Sequence, residues 1–369
     1  MFTLDTREGV LEDLLNRVGE KLQLDKTRRE KAESTYKAVT DYLSANSLIF
    51  GNNIEMYPQG SYAIETTVKP KDNEYDLDFV MEVKSDPKIS DPIELISSLK
   101  ACLDSNGLYE GKTEAKNRCV RIVYAGDYHM DIIPAFHDSK IGGTAILVPD
   151  RSIKGWSPSN PRGFISWFNS KAETAEIIMK AASADPLPPD ISYEWKLPLK
   201  RIVQLIKRYR DENFKGNEKA VISIVLTTLA ASKYRNEDNV FVGLSSIIND
   251  IEVAIQHAIP RIHVENPSNT KEDFAERWDE DPSLYNSFKG FIHDFKTDIK
   301  NLESARGLEN VGEVLKNMFG ENISGEVLND QTNFLTKAKQ ASLLGVTAQG
   351  FITTNKNNSQ SIHKHTYWE

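Results

Sequence analysis

Gln59-Gly60-Ser61, then Tyr75-Asp76-Leu77-Asp78-Phe79: a small glycine–serine turn precedes two acids spaced i, i+2 in an apolar run. Side chains alternate faces along a strand, so Asp76 and Asp78 share one face while Leu77, Phe79 and Tyr75 turn to the core. Two carboxylates held side by side repel, and burial would disfavour their charged forms. A divalent cation removes that conflict, and oxygen-only ligands suit magnesium. The competing reading is a solvated charged face, against which stand the apolar neighbours Leu77, Phe79, Val80 and Met81. Glycine lets backbone approach a phosphate, a helix start offers unpaired N–H groups, and the Ser61 hydroxyl adds a donor. Taken alone, the dipeptide is better explained as an ordinary serine N-cap.

A third acid extends the pattern. Asp131 lies between Met130 and Ile132 in a second strand-like run, and His129 shares its face by the period of two. His129 reads as a structural histidine. Three carboxylates from two strands can hold two magnesium ions, one activating a hydroxyl nucleophile and one steadying a triphosphate and its pyrophosphate leaving group.

The chain has 369 residues, enough for two or three domains or one two-lobed enzyme. Forty-five basic against 54 acidic residues give a formal charge of −9, which argues against a surface built to grip duplex DNA. Only Cys102 and Cys119 are present, too few for a four-cysteine zinc site or a secreted disulfide framework. No signal peptide opens the chain and no stretch is apolar enough to span a bilayer, so a soluble cytoplasmic protein is expected.

Leucine spacing predicts two helices over 5–46, with Asp25 able to cap the second. Gly60-Ser61 opens a short helix to about Val68, 75–83 is the carboxylate strand, and 91–104 is an amphipathic helix. Residues 118–124 and 128–134 read as a hairpin around Gly126-Asp127. A short strand is expected near 144–148, then a loop over 149–162 with three prolines and Trp156, either part of a lid or packing. Helices follow over roughly 162–182, 195–213, 219–235, 241–259, 271–303, 309–320 and 323–343. The proline-rich run 185–190 is the clearest linker. The expected division is a core over 1–183, a helical lobe over 184–345 and a flexible tail over 346–369.

Three more residues carry candidate chemistry. Lys200 and Lys207 flank the apolar stripe Leu199, Ile202, Val203, Ile206 and Tyr209, where a lysine can bury its stem and extend its ammonium into a cleft; a solvated edge is the plainer alternative. Ser223, near the start of the next helix, could donate to the same phosphates or bond its own backbone.

Together these residues resemble the nucleotidyltransferase superfamily that includes DNA polymerase beta. More narrowly, they resemble the bacterial cGAS/DncV-like nucleotidyltransferases (CD-NTases) of CBASS anti-phage systems. The matching pieces are Gln59-Gly60-Ser61-Tyr62, Glu74-Tyr75-Asp76-Leu77-Asp78 and Met130-Asp131-Ile132-Ile133-Pro134. The helices containing 201–208 and 222–230, and the segment from Glu265-Asn266-Pro267 to Arg277-Trp278, are similar to later parts of that family.

The resemblance implies an α+β fold: a polymerase-beta-like core of mixed sheet and helices, a C-terminal helical lobe, and an active site in the cleft between them. It implies Asp76, Asp78 and Asp131 as catalytic metal ligands for two Mg2+ ions, or Mn2+. Gln59, Gly60, Ser61, Lys207 and Ser223 would bind nucleotide. The activity implied is joining of nucleoside triphosphates, ATP among them, into a cyclic di- or trinucleotide second messenger that activates an effector protein. The alternative is template-independent RNA tailing or modification of a protein or small molecule. Regulatory partners, or machinery that conjugates the C-terminus at Tyr367-Trp368-Glu369, are further implied partners; a plain disordered end competes with the latter. Without a cysteine cluster or net positive charge, direct DNA binding is not expected.

Overall fold

The computed structural model describes residues 6–50, 53–70, 75–84, 91–173, 193, 196–348, 352–354 and 359–361. The proline-rich 185–190 run and the terminal Tyr367-Trp368-Glu369 lie outside them.

The first helices form where leucine spacing and capping predict. α1 (Arg7–Lys21) buries Leu11, Leu14, Leu15 and Val18. α2 (Lys26–Ala45) begins at Asp25, whose carboxylate accepts from the Arg28 N–H at 2.9 Å and satisfies one orphan donor of the first turn.

The chain then runs through β1 (Ile54–Pro58), the one-turn α3 (Gly60–Ala63), β2 (Tyr75–Val83), α4 (Pro92–Asp104), β3 (Thr113–Ala115), β4 (Val120–Tyr124), β5 (Tyr128–His137), β6 (Ile146–Asp150), β7 (Gly155–Ser159) and α5 (Pro161–Ala172). These seven strands make one sheet in the order β1-β2-β5-β4-β3, with β6 joined to β5 and β7 to β6. Only β2 and β5 pair in parallel. Its helix-covered face carries Leu77, Phe79, Met81, Ile122, Met130 and Ile132, packed with Val39 and Leu43 of α2 and Leu95 and Leu99 of α4. Tyr36 stacks on Phe79 with centroids 4.5 Å apart. Each fully buried leucine here contributes about 1.5–3 kcal/mol. On the opposite face a smaller cluster of Tyr57, Val80, Ala135, Ile146 and Val148 covers part of the sheet.

Two local expectations change. α3 ends at Ala63 rather than near Val68, because Ile64 leaves the helical region and Glu65 turns left-handed at φ +57°. The stretch 149–162 is largely strand: Pro149 and Pro158 sit in the β6–β7 hairpin, whose outer strand has, among the described residues, no ladder partner beyond β6. Trp156 there packs on Phe136 at 5.0 Å, which is the packing alternative.

The helical half comprises α6 (Pro198–Phe214), α7 (Ser223–Lys233), α8 (Val240–His257), the strands β8 (Glu265–Asn266) and β9 (Asn269–Asp273), α9 (Arg277–Glu280), α10 (Pro282–Ser304), α11 (Leu308–Phe319) and α12 (Glu321–Gln340). The helix predicted from 271 therefore starts at Pro282, and a hairpin precedes it. Beyond 345, β10 (Gly345–Thr347), β11 (Ile352–Thr353) and β12 (Ser359–Ser361) pair as a small antiparallel sheet where a flexible tail is predicted.

The chain divides into two compact units, each built from separate stretches. One spans Gln23–Trp195 and His263–Glu276 and contains the seven-stranded sheet. The other spans Met1–Leu22, Lys196–Ile262 and Arg277–Glu369 and is mostly helical. The sequence predicts contiguous segments instead, divided between 183 and 184 and again between 345 and 346. In the sheet unit, hairpin β8–β9 docks through Asn160, which donates to the Ser268 carbonyl at 3.0 Å while the Ser268 hydroxyl donates back at 3.0 Å.

Candidate active site

Strand register assembles the acids. Along the parallel β2–β5 pair, Asp76 lies opposite His129 and Asp78 opposite Asp131. Across β4 and β3, Arg121 lies opposite Asp131 and Glu114 opposite Arg121. Paired residues share a face, so one row across four strands reads Asp78, Asp131, Arg121, Glu114. Asp76 and His129 form the next row on the same face.

The Gly60 turn abuts this row. The Gln59 N–H donates to the Asp78 carbonyl at 2.8 Å, fixing the start of α3 beside β2. Gly60 has φ +62°, and a Cβ there would stand 2.5 Å from Asp78 Oδ2. Glycine is therefore required twice, by its conformation and by the closeness of the carboxylate. The Ser61 hydroxyl lies 3.2 Å from that of Thr67. With only four residues, α3 has little macrodipole to offer; its contribution is the close backbone approach.

Arg121 joins the acids to each other. Its Nε donates to Asp131 Oδ1 at 2.7 Å and its Nη2 to Asp131 Oδ2 at 2.8 Å, a two-pronged pair. The same Nη2 is 3.1 Å from Asp76 Oδ1, and His129 Nδ1 is 3.4 Å from that oxygen. The bond to Asp131 holds the guanidinium even more firmly protonated than usual. Burial, then the adjoining Asp131 charge, pushes the Cys119 thiol up to about 12. It therefore stays protonated at neutral pH and is a poor nucleophile.

Asp76, Asp78 and Asp131 are thus brought together with Gly60 and Ser61 in the sheet unit. The sequence places both acids of β2 in an interior strand; Asp76, second residue of β2, is instead exposed, with 56% of its side-chain surface open. His129, read as structural, borders the acid set. Lys207 and Ser223 belong to the helical unit. α6 is buried from Leu199 to Tyr209, so Lys200 and Lys207 are buried rather than at a solvated edge. Ser223 begins α7 and its hydroxyl accepts from Arg210. The sequence does not single out Arg121, although its position was readable: the Gly126 turn pairs Tyr124 with Tyr128, and counting back pairs Arg121 with Asp131.

As a donor set, three carboxylates with two in adjacent register fit a hard divalent cation better than a soft one. Among the described residues no three His, Cys, Asp or Glu side chains stand in metal-ligating geometry. Asp131 and Asp76 are drawn instead to Arg121.

Residues 10–172 match the family model described as the Second Messenger Oligonucleotide or Dinucleotide Synthetase domain. A c-di-GMP synthase of Roseivirga ehrenbergii is 33% identical over 348 residues, covering 93% of this chain and 92% of its own. The chain is a cGAS/DncV-like nucleotidyltransferase. A second relative of this CD-NTase, the cyclic dinucleotide synthase CdnG of Bradyrhizobium diazoefficiens, is 26% identical over 371 residues, covering 92% of this chain and 88% of the relative. The solved structure of a CdnG from that organism, in complex with GTP, superposes with a TM-score of 0.72 at 23% identity, covering 86% of this chain and 97% of that one. That likeness bears out the polymerase-beta-like α+β fold expected of a CD-NTase.

Proposed function

We propose that this CD-NTase condenses nucleoside triphosphates, GTP among them, into a cyclic dinucleotide, with magnesium as its cofactor. The product would act as a second messenger in anti-phage defence. The observation that carries the reading is the Asp78–Asp131 pair in adjacent register with the Gly60 backbone against Asp78. The naming of a 33% identical relative as a c-di-GMP synthase supports guanine as a base.

In each of two rounds a ribose hydroxyl forms a bond to an α-phosphorus, the α–β phosphoanhydride breaks, and pyrophosphate leaves. Asp76, Asp78 and Asp131 would hold the metal, which when bound makes the hydroxyl a better nucleophile and offsets charge on the phosphates. Gly60 keeps the space beside Asp78 open, and Ser61 offers a hydroxyl donor to the triphosphate. Gln59 fixes the turn through its N–H bond to Asp78. Lys207 and Ser223 belong to the proposal as aids in binding triphosphate, and Lys207→Ala is expected to raise KM for GTP.

The test is incubation of the pure protein with magnesium and labelled GTP or ATP, followed by phosphatase and mass spectrometry. A phosphatase-resistant cyclic product is expected, absent in EDTA and absent from the Asp76→Ala/Asp78→Ala double variant. Phosphatase-sensitive linear chains would point instead to nucleotide tailing, and synthesis by the double variant would remove these acids from the chemistry.

A further inference from the structure

Arg121 occupies the position of a counter-ion at the acid set. Its fork takes both oxygens of Asp131 at 2.7 and 2.8 Å, and its Nη2 also reaches Asp76 at 3.1 Å. The fork takes one lone pair on each Asp131 oxygen and sets a positive charge beside the carboxylate, so a cation ligated by Asp131 is repelled unless the guanidinium moves aside. The backbone sets Asp78 and Asp131 side by side, yet among the described residues no three ligating side chains are gathered about one point.

We propose that Arg121 is a tethered surrogate cation: it holds Asp131 and Asp76 in the metal-free enzyme and gives them up when a divalent ion binds. Metal affinity is then set by an exchange of partners and not by a vacant cage. This rests on the reading of the acids as metal ligands. Three features make the exchange feasible. Arg121 is one-quarter exposed, so its head can move without dismantling the core. Glu114 lies directly across β3–β4 on the far side of Arg121 and offers the released guanidinium another carboxylate. Glu114 is now paired with the exposed Lys116, a partner easily lost to water.

The experiment is Mn2+ binding to the full chain without nucleotide, followed by the loss of the free-ion electron paramagnetic resonance signal. Arg121→Gln should bind Mn2+ at least tenfold more tightly than wild type, equivalent to about 1.4 kcal/mol. Arg121→Lys, which keeps the charge but lacks the fork, should fall between. Arg118→Gln removes an equal charge from an arginine paired to Asp150 and should match wild type. In EDTA, Arg121→Gln should melt below wild type, and Mn2+ should raise its Tm by more. Equal or weaker Mn2+ binding by both Arg121 variants overturns the proposal, as does an equal gain in Arg118→Gln. If wild type binds no Mn2+, or Asp78→Asn leaves its binding unchanged, the metal-ligand reading itself fails. If Asp78→Asn weakens binding while the Arg121 variants leave it unaltered, only the surrogate role falls.

Discussion

Replacing Gly60 by alanine separates the shape of the active-site turn from its stability. The new Cβ would meet Asp78 Oδ2 at 2.5 Å, whereas ordinary contact begins near 3.4 Å, so the carboxylate must retreat by about 0.9 Å. A catalytic group misplaced by roughly 1 Å costs on the order of 10²-fold in rate. Alanine at φ +62° also bears about 1–2 kcal/mol of left-handed strain, which lowers Tm by only a few degrees in a unit of this size. Gly126→Ala isolates the second effect, since Gly126 has φ +75° and nothing within 4 Å of its Cβ position. The assay is the initial rate of pyrophosphate release at saturating magnesium and GTP, alongside thermal melts of both variants. Gly60→Ala should lose about 10²-fold in kcat, and Gly126→Ala should melt as early while keeping its rate. A Gly60→Ala rate within threefold of wild type, or an equal loss in Gly126→Ala, would refute the steric argument.

Three further outcomes are expected. Asp150 accepts from Asn117, from the Ser152 N–H and hydroxyl, and from Arg118, which together outweigh the opposing effect of burial and hold its carboxyl well below the usual range. Its stabilisation is full above the unfolded value near 4 and fades as pH falls through the lowered folded value, so Asp150→Asn should cost about 1–2 kcal/mol at pH 7 and flatten urea-measured stability below pH 4. An unchanged acid limb would exclude this origin. Asn160→Ala removes the α5 cap to the Gly163 N–H at 3.0 Å and the tie to Ser268, and should destabilise by about 2 kcal/mol; hydrogen exchange should quicken in both α5 and β8–β9, and quickening in α5 alone would disprove the tie. Asp131→Asn keeps shape but loses charge, so pyrophosphate release should fall by about 10³-fold, while Tm falls by only a few degrees as Arg121 loses its charged partner; near-normal turnover would remove Asp131 from the mechanism.

The acid strand was legible because apolar and charged residues alternate without interruption from Tyr75 to Phe79, and only one strand phase puts Leu77 and Phe79 in a core. Asp131 was legible for the same reason. The β6–β7 hairpin was not, since Pro149 and Pro158 signal a break in any one-dimensional reading; Pro158 is tolerable on the outer strand β7 and Pro149 beyond the residues of β6 that pair with β5, and both placements are tertiary facts. The burial of Lys200 and Lys207 decides against a solvated edge, which helix periodicity with one wet face would suggest; α6 takes its charged residues inside, as with Arg208 on Glu212 at 2.8 Å. Arg121 was overlooked because a lone arginine in a strand carries no motif, and only the hairpin count reveals its partner.

The interleaving of the two units bears on how the protein is made. Asn160 must wait for Ser268, 108 positions later in the chain, before the sheet unit acquires its last hairpin. α1 emerges first from the ribosome but belongs with helices that begin at Pro198. No single stop codon or start site therefore yields either unit whole. An expression fragment ending at 183 would leave α1 without its helices and the sheet without β8–β9, so excised pieces should be designed by splicing distant stretches rather than by truncation.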